Sequence, residues 1–347
     1  MQDLNNTDEI KKLDPQGTYE STDLMVKQLK GAWKEVNTIK IPSDYKNVKK
    51  VVFCGMGASI YGALVLKALL GKNITFPTET VTDYHLPEYA KEDTLVVLTS
   101  YSGNTEEVLS CAEDTLVKKC KALILTKGGR LAEFAKKNNV PAYVFDGKLN
   151  PSGVPRLGNG YSVLGLIGLL NNAGIISIED KQIDEALIRL GDKYQDLKKR
   201  AMVDSEKYLD KIPVIFCAEH LSGNAQILRN QFNETSKTFS AYYLIPDLNH
   251  HLMEGLQFPN NSKLVFLIID SQDYSPKARK RVELTKDVIL KNNHEILEFK
   301  TSGQTIYDDF LEVLIYGSYL SLFVALRYNQ NPAINPWVDY FKQNLSS

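Results

Sequence analysis

The chain has 347 residues, enough for two domains at about 150 residues each. Its 41 Lys+Arg against 42 Asp+Glu leave a formal charge of −1, so no global field gathers nucleic acid or holds the chain on an anionic membrane. With 43% apolar and 24% charged residues, the composition is that of a globular protein and excludes general disorder. The first six residues, Met-Gln-Asp-Leu-Asn-Asn, have neither the basic nor the apolar region of a signal peptide. The longest apolar stretches lie near 161–176 and 311–326. The second has about sixteen residues, short of the ~20 that span a bilayer, so both are expected to be core helices. Cys54, Cys111, Cys120 and Cys217 form no C-x-x-C pair. Buried reduced thiols and a cytoplasmic protein are the expectation.

Short β-branched runs alternate with longer helical patterns. Residues 51–54 predict a strand and 59–70 an apolar helix. A strand at 94–99, an amphipathic helix at 105–119, a strand at 121–126, a helix at 131–138 and a strand at 142–145 follow. After a charged helix, 183–211, the logic restarts. Strands are predicted at 213–218, 264–269 and 296–299, and helices at 224–236, within 273–292 and at 308–327. Strands alternating with helices of ten or more residues indicate parallel sheets with helices on both faces. The boundaries read as a first unit at 20–177, a helical bridge at 178–211, and a second unit with a C-terminal helix and tail at 212–347.

Ligands in open α/β sheets bind beyond the carboxyl ends of the strands, and two turns lie there in the first half. Gly55-Met56-Gly57-Ala58-Ser59 imitates a dinucleotide loop, but Ile60 replaces its third glycine, so no nucleotide cofactor is expected. Ser100-Tyr101-Ser102-Gly103-Asn104-Thr105-Glu106-Glu107 follows a buried strand and opens a helix. The hydroxyls of Ser100, Ser102 and Thr105 and the free N–H groups of the first helical turn make an anion cradle. No lysine accompanies them, which suits a phosphate monoester rather than a triphosphate with magnesium. An ordinary turn capped by Thr105 is the alternative.

These turns resemble the sugar isomerase (SIS) domain, whose members bind phosphosugars. Pro155-Arg156-x-x-x-Gly160-Tyr161, Asn233-Glu234-x-x-Lys237, Asn249-His250 with Glu254-Gly255, the ending Asp339-Tyr340-Phe341-Lys342 and an Asp14…Met25 pattern narrow the likeness. Together they resemble the bifunctional phosphoglucose/phosphomannose isomerase family over nearly the whole chain. The chain departs from that family's pattern at Ala58, at His251 and Leu252, and at Ala333. The resemblance implies an α/β fold of two SIS domains, each a five-stranded parallel sheet flanked by helices. It also implies a homodimer with sites near the subunit interface.

The implied reaction interconverts fructose 6-phosphate with glucose 6-phosphate and mannose 6-phosphate through a cis-enediolate. Moving a proton between C1 and C2 needs a carboxylate base, and Glu234 is the candidate. The enediolate is anionic, so a fixed cation lowers its energy; Arg156 is placed there. Ring opening falls to His250, assisted by Lys342, and His250 is expected to reach a neighbouring subunit's site. Ser59, Ser100, Ser102 and Thr105 are assigned to the phosphate, with Gly57 and Gly103 shaping the loops. The histidines are scattered without an i, i+4 pair, so no metal is expected. The rivals are an SIS isomerase of another phosphosugar and a catalytically inactive phosphosugar sensor. A sensor needs only the phosphate cradle, and no helix-turn-helix accompanies it.

Overall fold

The computed structural model describes residues 4, 7–259 and 263–345. Helices α1 (Thr7–Leu13), α2 (Thr18–Asp23) and α3 (Met25–Val36) precede the first sheet. Its elements are β1 (Lys50–Cys54), α4 (Tyr61–Leu70), β2 (Thr78–Val81), β3 (Thr94–Ser100), α5 (Glu106–Val117), β4 (Lys121–Thr126), α6 (Gly129–Lys137) and β5 (Ala142–Val144). Helix α7 (Asn159–Asn172) leads to α8 (Asp180–Asp204), which joins the halves. The second half runs β6 (Ile212–Ala218), α9 (Ser222–Glu234), β7 (Ala241–Ile245), β8 (Leu264–Asp270), α10 (Pro276–Lys291), β9 (Glu295–Lys300), α11 (Ile306–Arg327) and α12 (Pro336–Leu345).

Both sheets are parallel. The first has the order β2-β1-β3-β4-β5 and the second β7-β6-β8-β9. The α/β architecture expected from alternation is therefore present. Strand count is not symmetrical: among the described residues the second sheet has four strands, not five. The reason is local, since after β9 the chain enters α11 and adds no edge strand in the place that β5 takes. The two strands missing from the sequence reading, β2 and β7, are edge strands. Each buries a single residue, Val81 or Ile245, so neither shows the buried β-branched run that marks the central strands.

Strand alternation divides the first core. Val51, Phe53, Val97 and Leu125 face the layer of α3, α4 and α7, whereas Val52, Cys54, Val96 and Ile124 face α5 and α6. The first apolar layer is continuous with the second half, because α4 packs on α9 and α11 packs on α8 and α9. Helix α11 has 22 residues, longer than the apolar stretch alone predicts. Its acidic first turn belongs to the helix, where Thr305 and Asp308 form a capping box. By length and composition α11 is apolar enough to cross a bilayer, but its apolar window is wholly buried in the fold. Cys54, Cys111 and Cys217 are buried free thiols and Cys120 is half-buried.

Candidate active site

In each sheet the strand order reverses once, between β1 and β3 and between β6 and β8. Crevices open beyond the carboxyl ends of strands at such reversals. In the first sheet this is where the two glycine-rich turns lie. After β1 the chain makes a 3-10 turn, Gly57–Ile60, and Gly57 has a positive φ of 54°. The Ser59 hydroxyl accepts from Tyr101 N (3.2 Å), which ties the first turn to the second. Ser100 Oγ accepts from Gly103 N (3.0 Å) and lies 2.8 Å from Thr105 Oγ1. Ser102 is exposed and its hydroxyl accepts from Asn104 N (3.2 Å). Gly103 has φ 72°, and a Cβ there would fall 1.8 Å from the Gly128 carbonyl oxygen, so only glycine fits.

Thr105 occupies the N-cap position of α5, yet its side chain makes no capping hydrogen bond. It pairs with Ser100 instead. The first turn of α5 keeps its N–H donors and its positive end of the helix dipole for a ligand. The loop thus assembles Ser59, Ser100 and Thr105 into one hydrogen-bonded frame, with Ser102 at its rim.

Arg156 stands in a 3-10 turn, Pro155–Leu157, packed beside Gly57–Ile60. It is 2% exposed. Its Nε donates to Thr235 Oγ1 (2.9 Å), and Nη2 donates to the carbonyls of Pro332 and Ala333. With the Asn335 amide turned so that both its ends find partners, its oxygen accepts from Nη1 (3.0 Å), and Nη1 makes a looser contact with Glu234 Oε2 (3.5 Å). All five N–H donors of the guanidinium are therefore engaged. Burial lowers the Arg156 pKa, and the Glu234 carboxylate opposes that shift.

Glu234 ends α9, and its side chain is 34% exposed. It opens on a cavity of about 370 Å³ lined by Asn230, Asn233, Tyr242 and neighbours. The Lys237 ammonium donates to the Glu234 and Thr235 carbonyls (3.0 and 3.2 Å). Its pKa is pushed down to about 8 by burial first, then by Arg156, with Glu234 opposing. Beneath lies Tyr61, wholly buried, its phenol pushed up by burial and by the Glu234 charge. The serine-rich loop belongs to the first half and the Glu234 carboxylate to the second, and Arg156 stands between them.

Within one chain His250 stands apart from this centre. His250 is exposed at the end of a 3-10 turn, Asp247–His250, that follows β7. The neighbouring Asn249 bonds Thr285 and Arg281 of α10, on the opposite face of the sheet from α9. Glu234 lies before the start of β7, and this strand alone spans about 13 Å. His251 is an exposed loop histidine paired with Asp247. Lys342 lies on the exposed helix α12.

One curated relative, the bifunctional phosphoglucose/phosphomannose isomerase of Caldicellulosiruptor bescii, is 30% identical over 345 residues, covering 94% of this chain and 98% of its own. The chain belongs to the bifunctional phosphoglucose/phosphomannose isomerase family. A second relative of that name, from Aquifex aeolicus, is 27% identical over 92% of this chain and 97% of its own. Residues 198–345 match the bacterial phospho-glucose isomerase C-terminal SIS domain. The crystal structure of a hypothetical protein from Thermus thermophilus superposes with a TM-score of 0.72 at 15% identity, over 97% of this chain and 91% of that one.

The site also holds residues that the sequence reading did not assign. Lys237 stands in the same short motif as Glu234, and that spacing was its available signal. Thr235 and Asn335 gave none, because their partner Arg156 is remote in the chain.

Proposed function

We propose that this chain is an aldose–ketose isomerase interconverting fructose 6-phosphate with glucose 6-phosphate and mannose 6-phosphate, without a cofactor. One observation carries the reading: an anion-ready loop and a half-exposed carboxylate beside a buried arginine are held together across the two halves. Ser59, Ser100, Ser102, Thr105 and the α5 N–H groups hold the phosphate. Glu234 removes the proton from C2 of the open-chain aldose. The C2–H electron pair forms the C1=C2 bond, and the carbonyl pair moves to O1, giving the cis-enediolate. A proton then passes from the O2 hydroxyl to O1, the O2 electron pair forms C2=O, and Glu234 returns its proton to C1 to give the ketose. Arg156 supplies a fixed positive charge beside this site, since its donors are engaged by the protein.

His250 opens the ring, with Lys342 assisting. Its distance from Glu234 of the same chain supports delivery from a second copy. Phe239 and Tyr243 along the β7 edge are 70% and 40% exposed, which supports burial of that edge in a homodimer. The units at 20–177 and 212–347 each act as one SIS domain, and the enzyme works in the cytoplasm.

A coupled assay with glucose 6-phosphate and mannose 6-phosphate side by side tests the reading. Turnover of both is expected, and turnover of neither overturns it. Mixing inactive Glu234→Gln and His250→Ala proteins should restore activity after subunit exchange, because one site of the heterodimer has both groups intact. No recovery after verified exchange rules out delivery of His250 from the partner.

A further inference from the structure

The Arg156–Glu234 contact is looser than its setting calls for. Charge-assisted pairs of this kind close to about 2.7–2.9 Å, often in a two-bond fork. Here one nitrogen approaches one carboxylate oxygen at 3.5 Å. The arginine is buried and cannot turn to water, so a competing acceptor must hold Nη1. That acceptor is the Asn335 amide oxygen at 3.0 Å. The amide cannot swing away, because its nitrogen donates to the carbonyls of Ile334 (2.9 Å) and Glu234 (3.2 Å). Asn335 therefore spans the guanidinium and the last turn of the helix that carries Glu234.

We propose that Asn335 is a positioning residue for the proton transfer: it holds Arg156 Nη1 back from a short ion pair with Glu234. The inference rests on the reading of Glu234 as the base. A short Nη1 contact would stabilise the carboxylate and weaken it as a base. A carboxylate held at one loose contact keeps its access to the cavity, while the arginine still lends its charge. The C-terminal segment 331–335 is thus a working part of the site, clamped to Arg156 through Pro332, Ala333 and Asn335.

The test uses full-length Asn335→Ala and Asn335→Asp proteins, with Glu234→Gln as reference. In Asn335→Ala, Nη1 closes on Glu234. We expect kcat/KM to fall about ten-fold and the acid limb of its pH profile to move down by about one unit. In Asn335→Asp a second carboxylate shares the arginine and adds negative charge, and the acid limb moves up. Infrared titration of the Glu234 carboxylate, assigned by difference against Glu234→Gln, reads the same shifts without turnover. The Asp variant has the shape of asparagine and carries the test should the alanine variant not fold. Acid limb and carboxylate titration both unmoved in a folded variant overturn the proposal, even where stability falls. Activity surviving in Glu234→Gln instead overturns the base assignment and leaves the infrared result to judge Asn335 alone.

Discussion

The two strand-order reversals occupy equivalent places in the two sheets and are furnished in opposite ways. Beyond β1 and β3, serine and threonine hydroxyls frame a helix whose N-terminus has no side-chain cap. Beyond β6 and β8, Ser275 caps α10 by accepting from Ala278 N (3.3 Å). The Glu219 carboxylate, on a residue with φ 44°, accepts from Ser275 N and Oγ at 2.9 and 2.5 Å. Behind it Asp309 is fully buried, bonded to Ser271 and to His220 at 3.0 Å. Desolvation and then the Asp309 charge raise the Asp273 pKa. A phosphate entering the second crevice would meet carboxylates where the first offers donors. Topology creates both crevices, and side-chain charge makes only the first suited to an anion. In the proposed reaction the second half contributes from the other end of its sheet, through Glu234.

This contrast can be broken in graded steps. Glu234→Gln removes the base and leaves the phosphate loop intact. Turnover should fall by about 10²–10⁴-fold while inorganic phosphate binds as in the parent protein by calorimetry; a tenth or more of parental turnover removes Glu234 from the role. Ser100→Ala acts on the loop alone. It strips the Gly103 N–H of its acceptor and Thr105 of its partner, and a lost buried hydrogen bond of about 1–3 kcal/mol should weaken phosphate about ten- to a hundred-fold. Glu219→Ala, in the second crevice, should leave phosphate affinity unchanged and cost about 1 kcal/mol of stability, read from urea unfolding, through the loss of an acid at a helix N-terminus. Altered phosphate affinity in this variant would mean the second crevice is not closed to anions.

The smallest effect is expected from pH. Lys237 loses its proton near pH 8, so the positive charge beside Glu234 declines above that value. Activity should fall by a factor of a few there, and Lys237→Arg should move this limb upward because a guanidinium stays charged. The unfolded chain holds the lysine proton up to about 10.5 and the folded chain releases it earlier, so this group adds stability as pH rises from about 8 to 10.5. A stability profile that falls across that window in the parent, and not in Lys237→Arg, contradicts the shift.

The central strands and the Ser100–Thr105 turn are legible in the sequence because both are local patterns. The run 121–126 is a strand with those bounds in the structure. The loop hydroxyls of Ser100 and Thr105, five residues apart, meet as their strand–turn–helix setting requires. Edge strand β2 (Thr-Glu-Thr-Val) lacks an apolar run, and β7 (Ala-Tyr-Tyr-Leu-Ile) is apolar but has a single β-branched residue, so neither carries the pattern of the central strands. The capping box at Thr305 and Asp308 was overlooked in favour of the apolar window that follows, which shortened α11. The saturation of Arg156 was out of reach for another reason. Its acceptors Thr235, Pro332, Ala333 and Asn335 come from two remote segments, three of the contacts are made by carbonyl or amide oxygens, and no local periodicity announces such partners. The spatial separation of His250 from Glu234 within one chain is likewise set by sheet topology rather than by their closeness in sequence.

Helix α11 ties the end of the chain to its beginning. Tyr319 donates to Asp23 at the end of α2 (2.6 Å), Phe323 packs edge-on against Tyr19, and Lys198 of α8 reaches the same Asp23. During synthesis the N-terminal helices therefore wait for a partner that leaves the ribosome near the end of translation. The apolar surface of Met25 and Tyr19 stays uncovered until then, because the contact that hides it has nearly the largest sequence separation the chain allows. Such closure is slow to find and rewards only the finished polypeptide. A nascent chain stalled before residue 306 would carry an intact phosphate loop sequence yet lack the clasp that makes the two halves one folding unit.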